Sequence, residues 1–293
     1  MKHLKIRIPM YFIGLFIMTI GIALSVKSNL GVSPVSSIPY TMTCVWGIEM
    51  GKATILFHIV LVVIQILPLR KKFKPVQLLQ ILVGIVFGYF TTFCNYMVSY
   101  LPTPHNLAIR IVMVLASTVF VAFGIFLYLP ADLIPLAGEG CMQAVSTVTN
   151  LEFSRVKIGF DCTMVVVSAV TCLVMLHSLG SVGAGTIIAA ILVGTFVGMI
   201  NRTFGSQQDA LLGKNEKAAA EAARVAERDH ISADAAAAKV KKVNHERAVH
   251  CKHFTKTDWG NVKNYDLCIK SDDFGVEDTA KIIRKLFQKK MGV

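Results

Sequence analysis

Three ionisable side chains occupy positions where charge is costly. Asp161 sits in Ile158-Gly159-Phe160-Asp161-Cys162, a short way into an apolar run, and His58 ends Ile55-Leu56-Phe57-His58 in another. An ionised Asp at the centre of a bilayer helix costs roughly 2.5 to 3.5 kcal/mol on insertion scales, so it is expected to face a bundle interior or a cavity. Asp161 then reads either as a proton or cation site, or as a neutral carboxyl bonded to backbone freed by a broken helix. Glu139 lies between Gly138 and Gly140. Glycines let a backbone turn sharply or approach a ligand closely, and a carboxylate between them suits a cation or an amine. The alternative is a loop-tip carboxylate in cytoplasmic water.

The elements that must position these groups are apolar helices. The chain is 54% hydrophobic and 16% charged, with mean hydropathy +0.59, and its apolar residues come in runs. That composition excludes an ordinary soluble domain and implies an integral membrane protein in contact with the lipid bilayer. Residues 8–26, 76–100, 108–129, 156–177 and 183–201 approach the ~20 residues that cross a ~30 Å hydrocarbon core, and the shorter run 53–69 suffices. The first run follows Lys2, Lys5 and Arg7 without a small-residue cleavage site, so it is expected to be a retained span and not a signal peptide.

The apolar part repeats itself. Ile6, Arg7, Ile8, Met10, Gly21, Ile22 and Leu24 recur 103 residues later as Ile109, Arg110, Ile111, Met113, Gly124, Ile125 and Leu127. Ile81-Leu82-Val83-Gly84-x-x-x-Gly88 recurs as Ile191-Leu192-Val193-Gly194-x-x-x-Gly198. Both small-residue motifs read as close-packing faces for neighbouring helices. The same offset makes His58 and Asp161 equivalents, at mirrored depths and not a contacting pair. Segments 28–50 and 130–152 are broken by Gly31, Pro34 and Pro39, and by Pro135, Gly138 and Gly140. Each is expected to be a broken or re-entrant piece, leaving three spans per unit and therefore an inverted second unit.

Charge supports that arrangement. Up to Phe204 there are 13 Lys and Arg against 5 Asp and Glu, and beyond it 17 against 13. With a cytoplasmic N-terminus, six spans put Lys2, Lys5, Arg7, the Arg70–Lys74 cluster, Arg155, Lys157 and Arg202 inside, leaving Lys27, Lys52 and Arg110 outside. A basic excess held in membrane loops argues for orientation and against nucleic-acid binding, which wants a basic stripe on a soluble face. The expected location is the inner (cytoplasmic) cell membrane, multi-pass, with both termini in the cytoplasm. The seven cysteines show no CxxC or Cys/His spacing, so no metal site and no cofactor is expected.

Residues 1–213 resemble the YczE/YyaS/YitT-type bacterial membrane proteins. The likeness is carried by Gly21-Ile22-Ala23-Leu24 with Leu30-Gly31-Val32-Ser33-Pro34, by the GxxxG ends, and by Gly198-Met199-Ile200-Asn201-Arg202-Thr203-Phe204-Gly205. The resemblance implies a membrane protein with a transporter-like role and nothing sharper.

From residue 214 the sequence is polar and helix-forming. Lys214 to Asp229 reads as one helix, Ser232 can cap a second to about His253, residues 265–269 read as a short strand, and Val276 to Lys290 as a closing amphipathic helix. This tail resembles the C-terminal end of a cytidylate-kinase-like protein through Glu227-Arg228-Asp229, Asn244-His245-Glu246-Arg247, Thr255-x-x-x-Trp259-Gly260 and Asn264-Tyr265-Asp266-Leu267-Cys268-Ile269-x-Ser271, with Gly275 and Glu277. The resemblance implies a lid whose arginines meet nucleotide phosphates, a role that Arg228 and Arg247 would inherit. Arginine suits it because its planar fork binds phosphate oxygens bidentately. The departures are larger. No glycine-rich phosphate loop entering a helix occurs, and His250 and Cys251 stand where the family has paired tyrosines. Solvated surface arginines and an inactive fragment without nucleotide are therefore the expectation.

The fold expected is an α-helical polytopic membrane protein of two inverted three-span repeats, 6–104 and 105–205, with broken segments, followed by a small, mainly helical cytoplasmic tail, 214–293, with one short strand. The function expected is transport of a small molecule or ion, with Asp161, His58 and Glu139 as candidates. A membrane-tethered nucleotide kinase and a nucleotide-binding sensor are the competing readings.

Overall fold

The computed structural model describes residues 4–70, 73, 75–149, 151, 153–255 and 271–291, with Ser154 and some tail positions as backbone only. It divides into two compact units, Met1–Lys214 and Asn215–Val293. The first contains α1 (Leu4–Ser28), α2 (Pro34–Trp46), α3 (Met50–Leu69), α4 (Leu79–Ser99), α5 (Leu107–Tyr128), α6 (Ala137–Thr149), α7 (Phe153–Leu176) and α8 (Ala184–Leu211). Six of these are long and apolar enough to cross a membrane. The other two, α2 and α6, have 13 residues each and fall in the two broken segments. At 1.5 Å per residue each is about 20 Å long, too short to span.

The local sequence explains where these helices begin and end. Pro34 opens α2 at the position where a missing N–H is harmless, and Gly47 closes it in the left-handed conformation with its N–H on Thr43 O at 3.0 Å. Glu49 caps α3, accepting from Gly51 N at 2.9 Å and Lys52 N at 3.1 Å. Asn106 caps α5 through Ala108 N at 2.9 Å. Between α1 and α2 the chain turns at Gly31, φ 102°, where any Cβ would lie 2.6 Å from Gly183 N. That contact lets the loop before α2 bond the loop before α8, with Gly185 N on Leu30 O at 2.7 Å and Val32 N on Ser181 O at 3.3 Å.

Lipid tails are as apolar as leucine, so helices in a bilayer associate through close packing and hydrogen bonds. The largest interface joins α1 to α5, running antiparallel. A Cβ on Gly14 would fall 2.8 Å from Gly124 O, and one on Gly21 would fall 2.7 Å from Ser117 O, so these backbones touch. At the far end Arg110 Nε donates to Ser28 O at 2.7 Å and its Nη2 to Asn29 O, covering the carbonyls that end α1. Tyr11, Leu15, Met18, Ile22, Val121 and Tyr128 fill this core, joined by Met50, Val83 and Phe87 from α3 and α4. Helix α4 lies against α1 and α3, and α8 against α5.

The two motifs expected to be packing faces behave differently. Gly84 and Gly88 lie under α3, where added Cβ atoms would come within 2.8 Å of His58 and 2.3 Å of Ile55. Gly194 and Gly198 have no neighbouring atom within 4 Å of a Cβ position, so among the described residues these two glycines meet no partner helix.

The second unit contains α9 (Lys214–Asp229), α10 (Ala233–Thr255) and α11 (Ser271–Met291). Ser232 Oγ accepts from Ala235 N at 3.3 Å and so caps α10. No strand occurs among the described residues, and the strand expected at 265–269 lies outside them.

Candidate functional site

The short helices α2 and α6 meet at their first turns. A Cβ on Gly138 would sit 3.7 Å from Val35 Cγ1 and 4.0 Å from Leu61 Cδ1. Around this point Ala137, Cys141, Phe57, Leu61, Val62 and Met164 form an apolar cluster. Each helix begins with the positive end of its dipole, so two partial positive charges meet here.

Glu139 stands in the first turn of α6, partly buried, and accepts a hydrogen bond from Tyr128 Oη. The same phenol oxygen accepts from Leu136 N at 2.7 Å. Tyr11 supports the turn by donating to Ile134 O at 2.7 Å, and its ring lies 5.3 Å from that of Tyr128. A carboxylate here answers the positive helix end, and the tyrosine hydroxyl supplies the directed donor it needs in place of water. Lys157 of α7 is near enough to act on it electrostatically.

Across α6 from the carboxylate lies a pair of buried amides. Gln65 Nε2 donates to Gln80 Oε1 and to Ala137 O, both at 3.0 Å. Ala137 O can only accept, which fixes the orientation of the Gln65 amide and leaves its Oε1 buried without a partner. Gly140 makes the room, since a Cβ there would fall 2.6 Å from Gln80 Nε2 and 2.8 Å from Gln65 Oε1. The seam of α2 with α7 and the loop after α7 is built from hydroxyls. Ser168 Oγ donates to Ser37 Oγ at 2.9 Å, Ser37 Oγ approaches Met164 O at 3.2 Å, and the Thr41 and Ser181 hydroxyls are 2.6 Å apart.

The other candidates lie apart from this turn. Asp161 pairs with Lys157 on its own helix, Nζ to Oδ2 at 2.7 Å, while its Oδ1 is buried without a partner. His58 is buried between α3 and α4, stacked beside Phe57 and Phe87, and its Nδ1 has no partner. Lys157 pairs with Asp161 and not with Glu139, and His58 joins neither. The sequence reading passed over Gln65, Gln80 and Tyr128. Two neutral amides inside apolar spans were the signal available, because an amide in hydrocarbon must find a partner.

In the tail, Arg228 and Lys239 both bind Asp229, at 2.7 Å and 2.9 Å. The adjoining Arg228 guanidinium, then Lys239, holds the Asp229 carboxyl well below the usual carboxylate range. The fork that would grip a phosphate is thus engaged by a neighbouring carboxylate. The side chain of Arg247 lies outside the described residues.

Residues 5–202 match the family of unknown function DUF6198. The chain is 25% identical over 194 residues to the uncharacterized membrane protein YczE of Bacillus subtilis (strain 168), covering 66% of this chain and 84% of that relative. Residues 216–273 match the cytidylate kinase-like family. No solved structure matches. The chain belongs to the DUF6198 family, and with its six apolar helices it is a multi-pass membrane protein.

Proposed function

We propose that this DUF6198 member is a permease for a small solute or ion, in which two inverted halves, 6–104 and 105–205, move against each other around the meeting point of α2 and α6. The observation that carries the reading is the recurrence of contacts at the 103-residue offset of the sequence repeat. That shift takes Gly14 to Ser117 and Gly21 to Gly124, exchanging the two close contacts between α1 and α5. It takes Val35 to Gly138, the pair at which α2 and α6 meet. It takes Ser37 and Ser168, bonded across α2 and α7, to Gly140 and Gln65, in contact across α6 and α3. Asn29 becomes Asp132, and both end their helices with left-handed φ of 52° and 50°.

Contacts that exchange under one shift are what a pseudo-two-fold axis produces, and antiparallel first helices put that axis in the membrane plane. Transporters built in this way bind solutes near the midplane, at the ends of discontinuous helices. Glu139 is the leading solute or coupling site, with Asp161, paired to Lys157, a second candidate and His58 a packed position in the first half. The N-terminus, the basic loop at 70–74 and the tail face the cytoplasm of a bacterial cell, which satisfies the positive-inside rule.

The test is flux in liposomes reconstituted with the full chain, screened against small ions and metabolites. At least one should cross faster than in protein-free liposomes. Glu139→Gln, which keeps an acceptor for Tyr128 but cannot titrate, should lower that flux at least tenfold. Rates equal to protein-free liposomes across the panel would reject the reading.

The match of residues 216–273 to the cytidylate kinase-like family favours a second reading, a nucleotide-binding sensor or a tethered kinase. It requires a phosphate cradle that this sequence does not contain. Saturable binding of ATP or CMP to the full chain, lost in Arg247→Ala, would promote it.

A further inference from the structure

Among the described residues no cation touches the Glu139 carboxylate. Lys157, the ammonium near enough to act on it, is engaged by Asp161, Nζ to Oδ2 at 2.7 Å. The partner of Glu139 is the Tyr128 hydroxyl, whose oxygen also accepts from Leu136 N at 2.7 Å. A phenol has one hydrogen, and here it points at the carboxylate. The other titratable group that acts on this pair is Tyr11 of α1, itself bonded to Ile134 O. From α3 and α4 come only the neutral amides of Gln65 and Gln80, which face Gly140.

A metal cation or a proton could balance such a carboxylate. Hard metal cations gather several oxygen lone pairs, whereas a proton needs one. At this turn the carbonyl lone pairs are directed elsewhere. Ile134 O accepts from Tyr11 Oη at 2.7 Å, Leu136 O from Gly140 N at 2.9 Å and Ala137 O from Gln65 Nε2 at 3.0 Å. Among the described residues no three His, Cys, Asp or Glu side chains gather as a metal-binding set would. What Glu139 can add without rebuilding the turn is a proton on its own oxygen.

We infer that the ion coupled at Glu139 is a proton, taken up by the carboxylate itself, and that its arrival loosens α6 from the end of α5. The inference rests on the permease reading above and names its coupling ion. A hydrogen bond to a carboxylate is roughly twice as strong as one to a neutral group, and negative charge favours the positive end of a helix. Protonation removes both effects at once, so the Tyr128 tie weakens and the first turn of α6 loses its counter-charge. The first half has no such tie. The positions 103 residues before Tyr128 and Glu139 hold Ser25 and Ser36, which carry no charge. The proton therefore acts on one of the two short helices, at the turn where α2 and α6 meet.

The experiment is infrared difference spectroscopy of the purified full chain in nanodiscs, titrated with acid in sodium chloride or choline chloride at fixed ionic strength. The wild type should gain a protonated-carboxyl band that is missing in Glu139→Gln, with the same midpoint in both salts. Tyr128→Phe removes the donor that favours the ionised form, so its midpoint should rise by about one pH unit. At a pH above the wild-type midpoint, backbone hydrogen exchange across residues 137–142 should be faster in Glu139→Gln, whose side chain imitates the protonated acid. An unchanged band in Glu139→Gln, a midpoint that falls when sodium replaces choline, an unmoved midpoint in Tyr128→Phe, or equal exchange would overturn the inference. Titration of Glu139 without solute flux would support the proton site and sink the permease reading. Solute flux with no titrating band assignable to Glu139 would do the opposite.

Discussion

Helices α3 and α4 close on one another, whereas α7 and α8, which follow the same order in the second half, have no comparable interface. Both pairs carry the same Ile-Leu-Val-Gly-x-x-x-Gly run. In α4 the glycines lie against Gly51, Ile55 and His58 of α3, while in α8 they face open space. Accordingly 44% and 33% of the α3 and α4 spans are buried against 17% for each of α7 and α8. The difference lies in the partner helix. The 103-residue offset takes Gly51 to Ser154 and His58 to Asp161, so the ring over Gly84 has no counterpart. Asp161 turns instead to Lys157. A small-residue motif is therefore half of an interface, and the facing residues decide whether it closes.

The largest expected effect falls on the closed pair. Gly88→Val would drive a side chain into Ile55 and into Gly51 O, 2.8 Å from the Cβ position, and should cost about 1–3 kcal/mol as overpacking does. Gly198→Val should stay within about 0.5 kcal/mol of wild type, as surface substitutions do. Thermal unfolding in detergent reads both, and equal losses would break the comparison. Next comes Gly140→Ala, which pushes a methyl into the Gln65–Gln80 pair and should destabilise by about 1–3 kcal/mol. Ser37→Ala at the equivalent position removes one hydroxyl bond and should cost about 1 kcal/mol.

Asp161→Asn sharpens the contrast between the two acidic residues. Its partner Lys157 is half exposed and on the same helix, so stability should change by no more than about 1 kcal/mol. Its flux should fall less than that of Glu139→Gln; a selective, complete loss at Asp161 would move the coupling site there. The smallest effect is in the tail, where Arg228→Ala should leave the unfolding temperature unchanged, since that guanidinium is solvent-exposed. The Asp229 carboxyl is depressed by Arg228 and Lys239, so its pairing is present at neutral pH and is lost only as pH falls below the ordinary carboxylate range.

Much of the architecture could be read from the chain because it follows from one-dimensional signals. Apolar runs of sufficient length marked the six helices, and Pro34, Pro39, Gly138 and Gly140 marked the two interruptions that became α2 and α6. What could not be read depended on helix rotation. Whether Gly194 and Gly198 met a neighbour, and whether Gln65 and Gln80 met each other, turned on which face each helix presents. Glu139 stood out because of its flanking glycines, but its bond to Tyr128 crosses a turn whose path no periodicity describes. Lys157, which engages Asp161 one turn away, was counted as an orienting charge and not as a partner.

The inversion of the two halves is the claim on which the rest stands, and Asn29 and Asp132 report on it directly. They are equivalent by the repeat, both exposed, and each ends the first helix of its half. In intact cells, with native cysteines replaced by serine, Asn29→Cys should react with an impermeant maleimide. Asp132→Cys should react only after permeabilisation. Labelling of both from the same side would contradict the account.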